Sequence, residues 1–305
     1  MSGVDFIVFY HLHDATTIKE LHDKVKKNIN ISKKTLYTIV DRLVEEGLVA
    51  KRRVGRQIII QQINQPVSIY LHNLIKTHPY LVKKHLLTQT SIDILLTLLH
   101  RELPINWIAD VTGLSQRNTR RYLVRLYKSA LIKRHTGNHK PLWSINKVNS
   151  ELTQFLEAYE EFRALRIIDT NNIEASLIWV QGIEFLIRTP MKIDKLGFKE
   201  TGAMLLEKYG LKLISAERTY FYTNRELTLW DHAFLTFLSR RNDPTQLRYL
   251  AYLYKIHQSE EEFNEKGRYY DPETTEVIQN LFQHGRETAT LRMSDIEELE
   301  KLYGE

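Results

Sequence analysis

The sequence predicts a mixed, mainly α-helical fold with small β-ribbons, in which two tandem copies of one unit precede an α+β domain. Three observations predict it: a gapless internal repeat, apolar residues at helical spacing in both copies, and a change from helices to strands near residue 174. With 305 residues, 43% of them hydrophobic, the chain is long enough for two or three domains with their own cores.

The repeat aligns "ISKKTLYTIVDRLVEEGLVAKRR" (31–53) with "LSQRNTRRYLVRLYKSALIKRHT" (114–136) at an offset of 83. Ser32 and Ser115 stand at N-cap positions. Gly47 is typical of a helix C-terminus, where the second copy has Ala130. After the first cap, apolar residues recur at i, i+3, i+4 and i+7, which predicts one buried helical stripe: Leu36, Ile39, Val40 and Leu43. In the second copy the same places are held by Thr119, Tyr122, Leu123 and Leu126.

Each repeated helix has the same predicted neighbours. Two helices precede it, at about 5–13 and 17–27 in the first copy and 90–101 and 104–113 in the second. Two short β segments follow, at 49–63 and 132–145, with turn residues at Gly55 and at Gly137-Asn138. Three helices followed by a two-stranded ribbon make a winged helix.

The repeated segments also resemble known regulators. The stretch "IADVTGLSQRNTRRYLVRLYKSALI" closely resembles the helix-turn-helix of winged-helix transcription regulators, and "ISKKTLYTIVDRLVEEGLV" resembles the MarR-like kind. The resemblance covers about half of the chain and implies winged helices that bind DNA.

The predicted domain order is two winged helices, a linker helix and an α+β domain. A helical connector that breaks near Pro79 separates the winged helices and is expected to set their spacing. The amphipathic helix at 149–168 is open to three interpretations: a spacer, a dimerisation helix in a homodimer, or core packing. The boundaries are 1–64 for the first winged helix, 65–87 for the connector, 88–148 for the second winged helix, 149–172 for the linker helix and 173–305 for the last domain.

Charge divides the chain in two. Residues 1–148 hold 24 Lys and Arg against 10 Asp and Glu, a balance of +14, whereas residues 149–305 have a balance of −8. Such asymmetry favours a half that binds a polyanion and a half with another task. Double-stranded DNA is the predicted partner, because the major groove of double-stranded RNA is too deep and narrow for such a helix.

The second helix of a helix-turn-helix enters the major groove, and its wing contacts the backbone. In the second copy Gln116, Arg117 and Asn118 are expected to read bases, and later residues to bind phosphate. The alternative is that basic faces are merely solvated, or that the winged helices bind protein. The predicted DNA-binding residues are Lys33, Lys34, Thr35, Tyr37, Thr38, Arg42, Lys51, Arg52, Arg53 and Arg56 in the first copy, and Gln116, Arg117, Asn118, Arg120, Arg121, Arg125, Lys128, Lys133, Arg134 and Lys140 in the second.

The C-terminal half has a different pattern. A β-hairpin with its turn near Gln181-Gly182, a short helix that ends at Gly210 and another strand are followed by helices at 228–241, 244–257, 271–285 and 293–305. The stretches "AERTYFYT" and "LTLWDHAFLTFLSRR" weakly resemble the C-terminal domain of AbiEi-type antitoxins, which repress their own operon. That resemblance implies a domain that binds a protein partner or a small effector, although the family usually carries one winged helix.

We expect no enzyme activity, cofactor or metal. The nucleotide-binding motifs GxxxxGK[ST] and GxGxxG and the hydrolase motif GxSxG are absent, and the histidines have no convincing ligand spacing. Without cysteine the chain has no disulfides, and without a signal peptide or an apolar span it is expected to be cytoplasmic. Five aromatic residues could line an effector pocket, but aromatics in strands and helices more commonly belong to the core, which is the favoured interpretation: Trp179, Tyr220, Phe221, Tyr222 and Trp230.

The predicted function is therefore a sequence-specific transcription regulator. One rival is an interaction subunit of a chromosome or transcription assembly, which salt-dependent DNA affinity would distinguish. The other is a DNA-processing enzyme with a C-terminal catalytic domain, which metal-dependent turnover would distinguish.

Overall fold

The structure is a computed structural model that describes residues 1–12, 14–84, 86–136, 141–215 and 217–304. By their contacts, the residues form two compact units. Unit 1 comprises residues 1–167 and 181–183, and unit 2 comprises residues 168–180 and 184–305. The predicted fold class is confirmed: winged helices with small antiparallel sheets, followed by an α+β region.

The first winged helix has three helices and a three-stranded sheet in the order β1-β3-β2. Strand β1 pairs Thr16 with Ile60 of β3, an element that the sequence did not predict because two residues show no periodicity. The elements are α1 (Gly3–Tyr10), β1 (Thr16–Thr17), α2 (Ile18–Lys26), α3 (Lys33–Glu45), β2 (Val49–Val54) and β3 (Gln57–Gln62).

The connector and the second winged helix follow. The connector is α4 (Pro66–Thr77) and α5 (Tyr80–Lys83), interrupted at Pro79 as predicted. The second copy repeats the first, with sheet order β4-β6-β5. Its elements are α6 (Gln89–Thr97), β4 (Leu103–Pro104), α7 (Ile105–Thr112), α8 (Gln116–Lys128), β5 (Ile132–Thr136) and β6 (Pro141–Ile145).

Helices α3 and α8 are built as their sequences predict. The Ser32 side chain accepts a hydrogen bond from the backbone N–H of Thr35, and Ser115 accepts one from that of Asn118. The predicted stripe is buried in both copies, except that Tyr122 is only half-buried. The stripe positions therefore orient both helices, and the residues between them face outward.

The two copies differ in the turn before these helices. In the second copy the turn is residues 113–115, and Gly113 takes φ 68°, a conformation that glycine adopts without strain. In the first copy the turn is longer, residues 27–32, and the imidazole of His22 lies 2.9 Å from the carbonyl oxygen of Ile31. This difference explains why the gapless alignment begins only at residues 31 and 114.

The ends of α3 and α8 also differ. Gly47 has φ 70° and Ala130 has φ 56°, so both copies require a left-handed residue at the same position. Alanine pays a steric cost there that glycine avoids. The strain is held in place by neighbours, since the Asn146 amide donates to the Ala130 carbonyl at 2.8 Å.

We therefore expect Ala130→Gly to stabilise unit 1 by about 1 kcal/mol, because the exposed Ala130 side chain contributes no buried contact. The denaturant midpoint of unfolding measures this. The reciprocal change, Gly47→Ala, should destabilise, since its Cβ would lie 3.0 Å from Nε of Arg166. A lower midpoint for Ala130→Gly would contradict the assignment of strain.

Helix α9 (Ser150–Thr170) contacts both winged helices of unit 1 through its residues up to 167. Glu160 of α9 accepts a hydrogen bond at 2.7 Å from His100 of the second winged helix. The guanidinium of Arg166, also in α9, donates to the carbonyl oxygen of Glu45 at the end of α3 in the first winged helix. The residues between the winged helices and unit 2 are therefore part of the packing of unit 1.

Unit 2 is an antiparallel sheet, in the order β7-β8-β10-β9, with five helices. The sequence did not predict helix α12, because its Gly267 is typical of a residue that interrupts a helix. In the structure Gly267 permits close packing between helices, since a Cβ there would overlap Thr275 of the next helix. The elements are β7 (Ser176–Gln181), β8 (Glu184–Thr189), β9 (Phe198–Thr201), a 3-10 helix (Ala203–Tyr209), β10 (Arg218–Tyr222), α10 (Leu229–Ser239), α11 (Pro244–His257), α12 (Glu260–Tyr270), α13 (Pro272–His284) and α14 (Met293–Tyr303).

A buried ionic cluster lies in the core of unit 2. The Arg225 guanidinium donates to both carboxylate oxygens of Glu184, at 2.9 and 3.2 Å, and to Asp231 at 3.0 Å. Lys266 donates to the other oxygen of Asp231 at 2.7 Å. Burial alone would raise the pKa of Asp231, but Arg225 and Lys266 outweigh it and lower that pKa to about 2. The cluster is charge-balanced and holds β8 against α10 and α12.

Candidate nucleic-acid interface

The outward face of α8 is basic along its whole length. Its sequence, "QRNTRRYLVRLYK", contains no acidic residue. Among the described residues, no carboxylate lies within ion-pair distance of Arg117, Arg120 or Arg121. The predicted contact residues of this helix are all exposed: Gln116, Arg117, Asn118, Arg120, Arg121, Arg125 and Lys128.

The first turn of α8 presents base-reading chemistry. Gln116, Arg117 and Asn118 are consecutive and exposed, directly after the N-cap. Amide side chains pair with adenine and arginine with guanine in the major groove. The free backbone N–H groups and positive dipole end of a helix N-terminus also favour phosphate oxygens. This end of α8 therefore suits DNA whether it reads bases or binds the backbone.

Two arginines at equivalent positions of the recognition helices are bonded to other elements of the protein. Arg42 and Arg125 occupy equivalent positions of the repeat. Arg42 forms a two-pronged ion pair with the fully buried Asp5, with Nη1 at 2.8 and 2.9 Å from its oxygens. Arg125 donates to the carbonyl oxygen of Lys84, just before the second winged helix. Arg42 thus braces α3 against α1, and Arg125 braces α8 against the end of the connector. The sequence did not indicate this role.

The first copy is more neutralised than the second. Lys51 is paired with Asp41 of α3, and Nε of Arg53 donates to the carbonyl oxygen of Gly55 at 3.3 Å. The Thr38 hydroxyl donates to the backbone of its own helix. The predicted residues of this copy are all exposed except Arg42, which is half-buried: Lys33, Lys34, Thr35, Tyr37, Thr38, Lys51, Arg52, Arg53 and Arg56.

The second wing has two different faces. Arg134 is paired across the ribbon with Trp143, and its guanidinium lies 5.7 Å from the centre of the Trp143 ring. Trp143 also packs edge-on against Tyr127 of α8. Lys133 is paired with Ser144 and so points to the opposite face. Arg134 therefore lies on the side of α8, and Lys133 does not. Lys140, at the predicted wing tip, lies outside the described residues.

The aromatic set of unit 2 belongs to its core. Trp230 and Phe221 are fully buried and Tyr220 is 2% exposed. Trp179 packs 5.7 Å from Tyr270, beside the ionic cluster. These aromatics do not line the cavity of about 450 Å³ that described residues of unit 2 form beside Arg188, Lys212 and Tyr249, and their burial favours the interpretation as core residues over an effector pocket.

Other kinds of site have no support in the described part of the chain. Its His, Asp and Glu side chains form no group of three or more that could hold a metal ion. Its helices include none with the length and hydropathy needed to cross a membrane.

The geometry of the first winged helix agrees with a known family. Residues 7–61 match the penicillinase repressor family. The match extends from α1 to β3, so it concerns the first winged helix and supports a winged-helix transcription regulator. No curated protein matches the chain significantly. The resemblances to MarR-like regulators and to AbiEi-type antitoxins stay predictions.

Proposed function

We propose that this chain is a transcription repressor that binds double-stranded DNA through its two winged helices. The observation that carries the proposal is the outward face of α8, which is basic and exposed, and on which no carboxylate lies within ion-pair distance of Arg117, Arg120 or Arg121 among the described residues. The match of the first winged helix to penicillinase repressors supports a repressor rather than an activator.

The two copies take different parts in this proposal. Helix α8 reads sequence through Gln116, Arg117 and Asn118, and the first copy adds affinity through its lysines and the wing residues Arg52, Arg53 and Arg56. Unit 2, with its acidic balance, binds a protein partner or small effector that controls repression, as in an autorepressing antitoxin. A homodimer on a symmetric operator fits the same arrangement.

This proposal excludes enzyme activity and can be separated from its rivals. An interaction subunit would bind its assembly through the same faces without salt-dependent affinity for DNA. A DNA-processing enzyme would turn DNA over in the presence of a divalent metal, and incubation of labelled duplex with Mg²⁺ or Mn²⁺ tests it.

Discrimination between DNA sequences should depend on Arg117, and affinity for DNA of any sequence should depend on Arg53. For Arg117→Ala we expect a loss of about 1–3 kcal/mol on a selected duplex, with a much smaller loss on random DNA, because a bidentate base contact disappears. For Arg53→Ala we expect the same factor on both. Fluorescence anisotropy with the two duplexes measures the ratio.

Lys76→Ala is the matched control, since Lys76 is exposed on α4, outside both helix-turn-helix segments and wings. It should leave both affinities unchanged. If Arg117→Ala lowers the affinities for the selected and the random duplex by the same factor, the roles assigned to Arg117 and Arg53 are wrong. The proposal that the chain binds DNA would not be affected.

The two half-sites should be unequal and fixed in spacing. The first copy begins its helix with Lys33 and Lys34 where the second has Gln116 and Arg117, so the preferred bases differ. Within unit 1 the spacing is held by the connector and by α9. Inserting five base pairs between the half-sites rotates one by about half a turn and should abolish joint binding in a footprint. Unchanged binding would show that only one copy reads DNA.

A further inference from the structure

A cavity of about 390 Å³ lies in the second winged helix, between the segment 98–102 and the strands of the wing. We call it the wing cavity. It is within the size range of small-molecule sites. It takes in the outer face of the wing, which carries Lys133 and Ser144, and also Ile145, which by its pairing with Ile132 belongs to the face of Arg134 and Trp143.

The floor of the wing cavity is apolar. Leu98, Leu99 and Ile145 line it, and each is at most 3% exposed. Their positions are set by the fold, since Ile145 pairs with Ile132 in the ribbon and its N–H reaches the carbonyl oxygen of Leu98. A preformed apolar floor suits a flat apolar body better than it suits water.

The rim of the wing cavity is cationic. Arg101, Lys133 and Lys147 line it together with a single carboxylate, Glu102. Glu102 lies 3.4 Å from His135, and no carboxylate lies within ion-pair distance of Lys133 or Lys147 in the described part of the chain. The lysines are exposed and can turn toward a bound anion without breaking an existing pair.

Two histidines add hydrogen-bonding groups whose orientation is already fixed. His100 is bonded to Glu160 at 2.7 Å, and His135 to the Ser144 hydroxyl at 2.8 Å. Because each ring has one nitrogen engaged, its orientation is set before any ligand arrives. An apolar floor, a cationic rim and oriented polar groups are the features of a site for a small amphipathic anion.

We propose that the wing cavity binds a small organic anion, with its apolar body on Leu98, Leu99 and Ile145 and its anionic group between Lys133 and Lys147. The exposed residues of α8 and the side chain of Arg134 are not part of its lining. Its ligand therefore does not compete with DNA for the same side chains of that copy.

Calorimetric titration of the full chain with phenyl phosphate tests this. We expect saturable binding of one molecule per chain, at least about tenfold tighter than inorganic phosphate or phenol, because only phenyl phosphate engages both floor and rim. Lys133→Ala and Lys147→Ala should each weaken binding about tenfold. Lys76→Ala, an exposed lysine outside the cavity, should have no effect.

A second variant leaves the charges in place. Ser144→Phe fills the cavity from the outer face and should abolish binding of phenyl phosphate while affinity for duplex DNA stays unchanged. The proposal is overturned if phenyl phosphate does not saturate, if inorganic phosphate binds equally well, or if the lysine variants bind phenyl phosphate normally. It is also overturned if the lysine variants lose only DNA affinity, which would make the rim a backbone contact. Because the titration contains no DNA, its failure leaves the proposed repressor function standing.

Discussion

The affinity of the full chain for duplex DNA should fall about 10³-fold or more between 50 and 200 mM salt. The expectation rests on the +14 balance of residues 1–148 and on the exposure of the basic side chains of α8 and the first wing. Each lysine or arginine that neutralises a phosphate releases counterions, so log affinity falls linearly with log salt, with a slope of about −0.9 per contact. About 6–10 such phosphate contacts are enough to produce this loss of affinity.

Anisotropy titrations of one labelled duplex at several salt concentrations measure the slope. The full chain is needed, since α9 packs into unit 1 and truncation at residue 148 would remove it. Arg120→Ala removes one exposed cation that has no ion-pair partner among the described residues. It should reduce the slope by about 1, whereas Lys76→Ala should not. An affinity that is flat in salt, or no binding at 50 mM, would end the DNA-binding interpretation.

The largest expected effect on stability is that of Arg225→Met, which should destabilise unit 2 by about 3–5 kcal/mol. Glu184 and Asp231 are fully buried, and Arg225 donates to both. Without Arg225, Lys266 still donates to Asp231, but Glu184 loses the guanidinium that bonds both of its carboxylate oxygens. A buried carboxylate that loses its cation loses the attraction that offsets its desolvation, whereas the free-energy cost of desolvation remains. Unfolding followed by the fluorescence of Trp179 and Trp230, the tryptophans of unit 2, measures the change.

Arg225→Met should also change how the stability of unit 2 depends on pH in the acidic range. Because the folded pKa of Asp231 is lowered to about 2, the stability that this carboxylate contributes is fully present above its ordinary pKa of 3.8 and is lost as the pH falls through about 2. Removing Arg225 takes away a cause of that lowering, so acid unfolding should begin at higher pH. Arg286→Ala, at an exposed arginine of unit 2, is the matched control and should leave both properties unchanged. Equal stability of Arg225→Met and the parent would show that the cluster contributes nothing net.

The sequence by itself determined the repeat, the helices that carry it and their buried stripes. Residues such as Leu36 and Leu123 repeat with the period of a helix, and Ser32 and Ser115 cap the first turn through contacts three residues away. All of these interactions are local in the chain, so spacing alone reveals them. The positive-φ position after α3 was also readable from Gly47, and the repeat carried it over to Ala130.

Only the tertiary structure decided which outward basic residues are available to a partner. Arg42 looks like a groove contact on a helical wheel, but its carboxylate partner Asp5 lies 37 residues earlier and meets it only after α1 packs against α3. The assignment of Lys133 and Arg134 to opposite faces of the wing required the register of the ribbon. The ionic cluster of unit 2 joins Glu184, Arg225 and Lys266 from separate elements. No local period in the sequence encodes such pairs, because their energy depends on burial and on distances set by packing between elements.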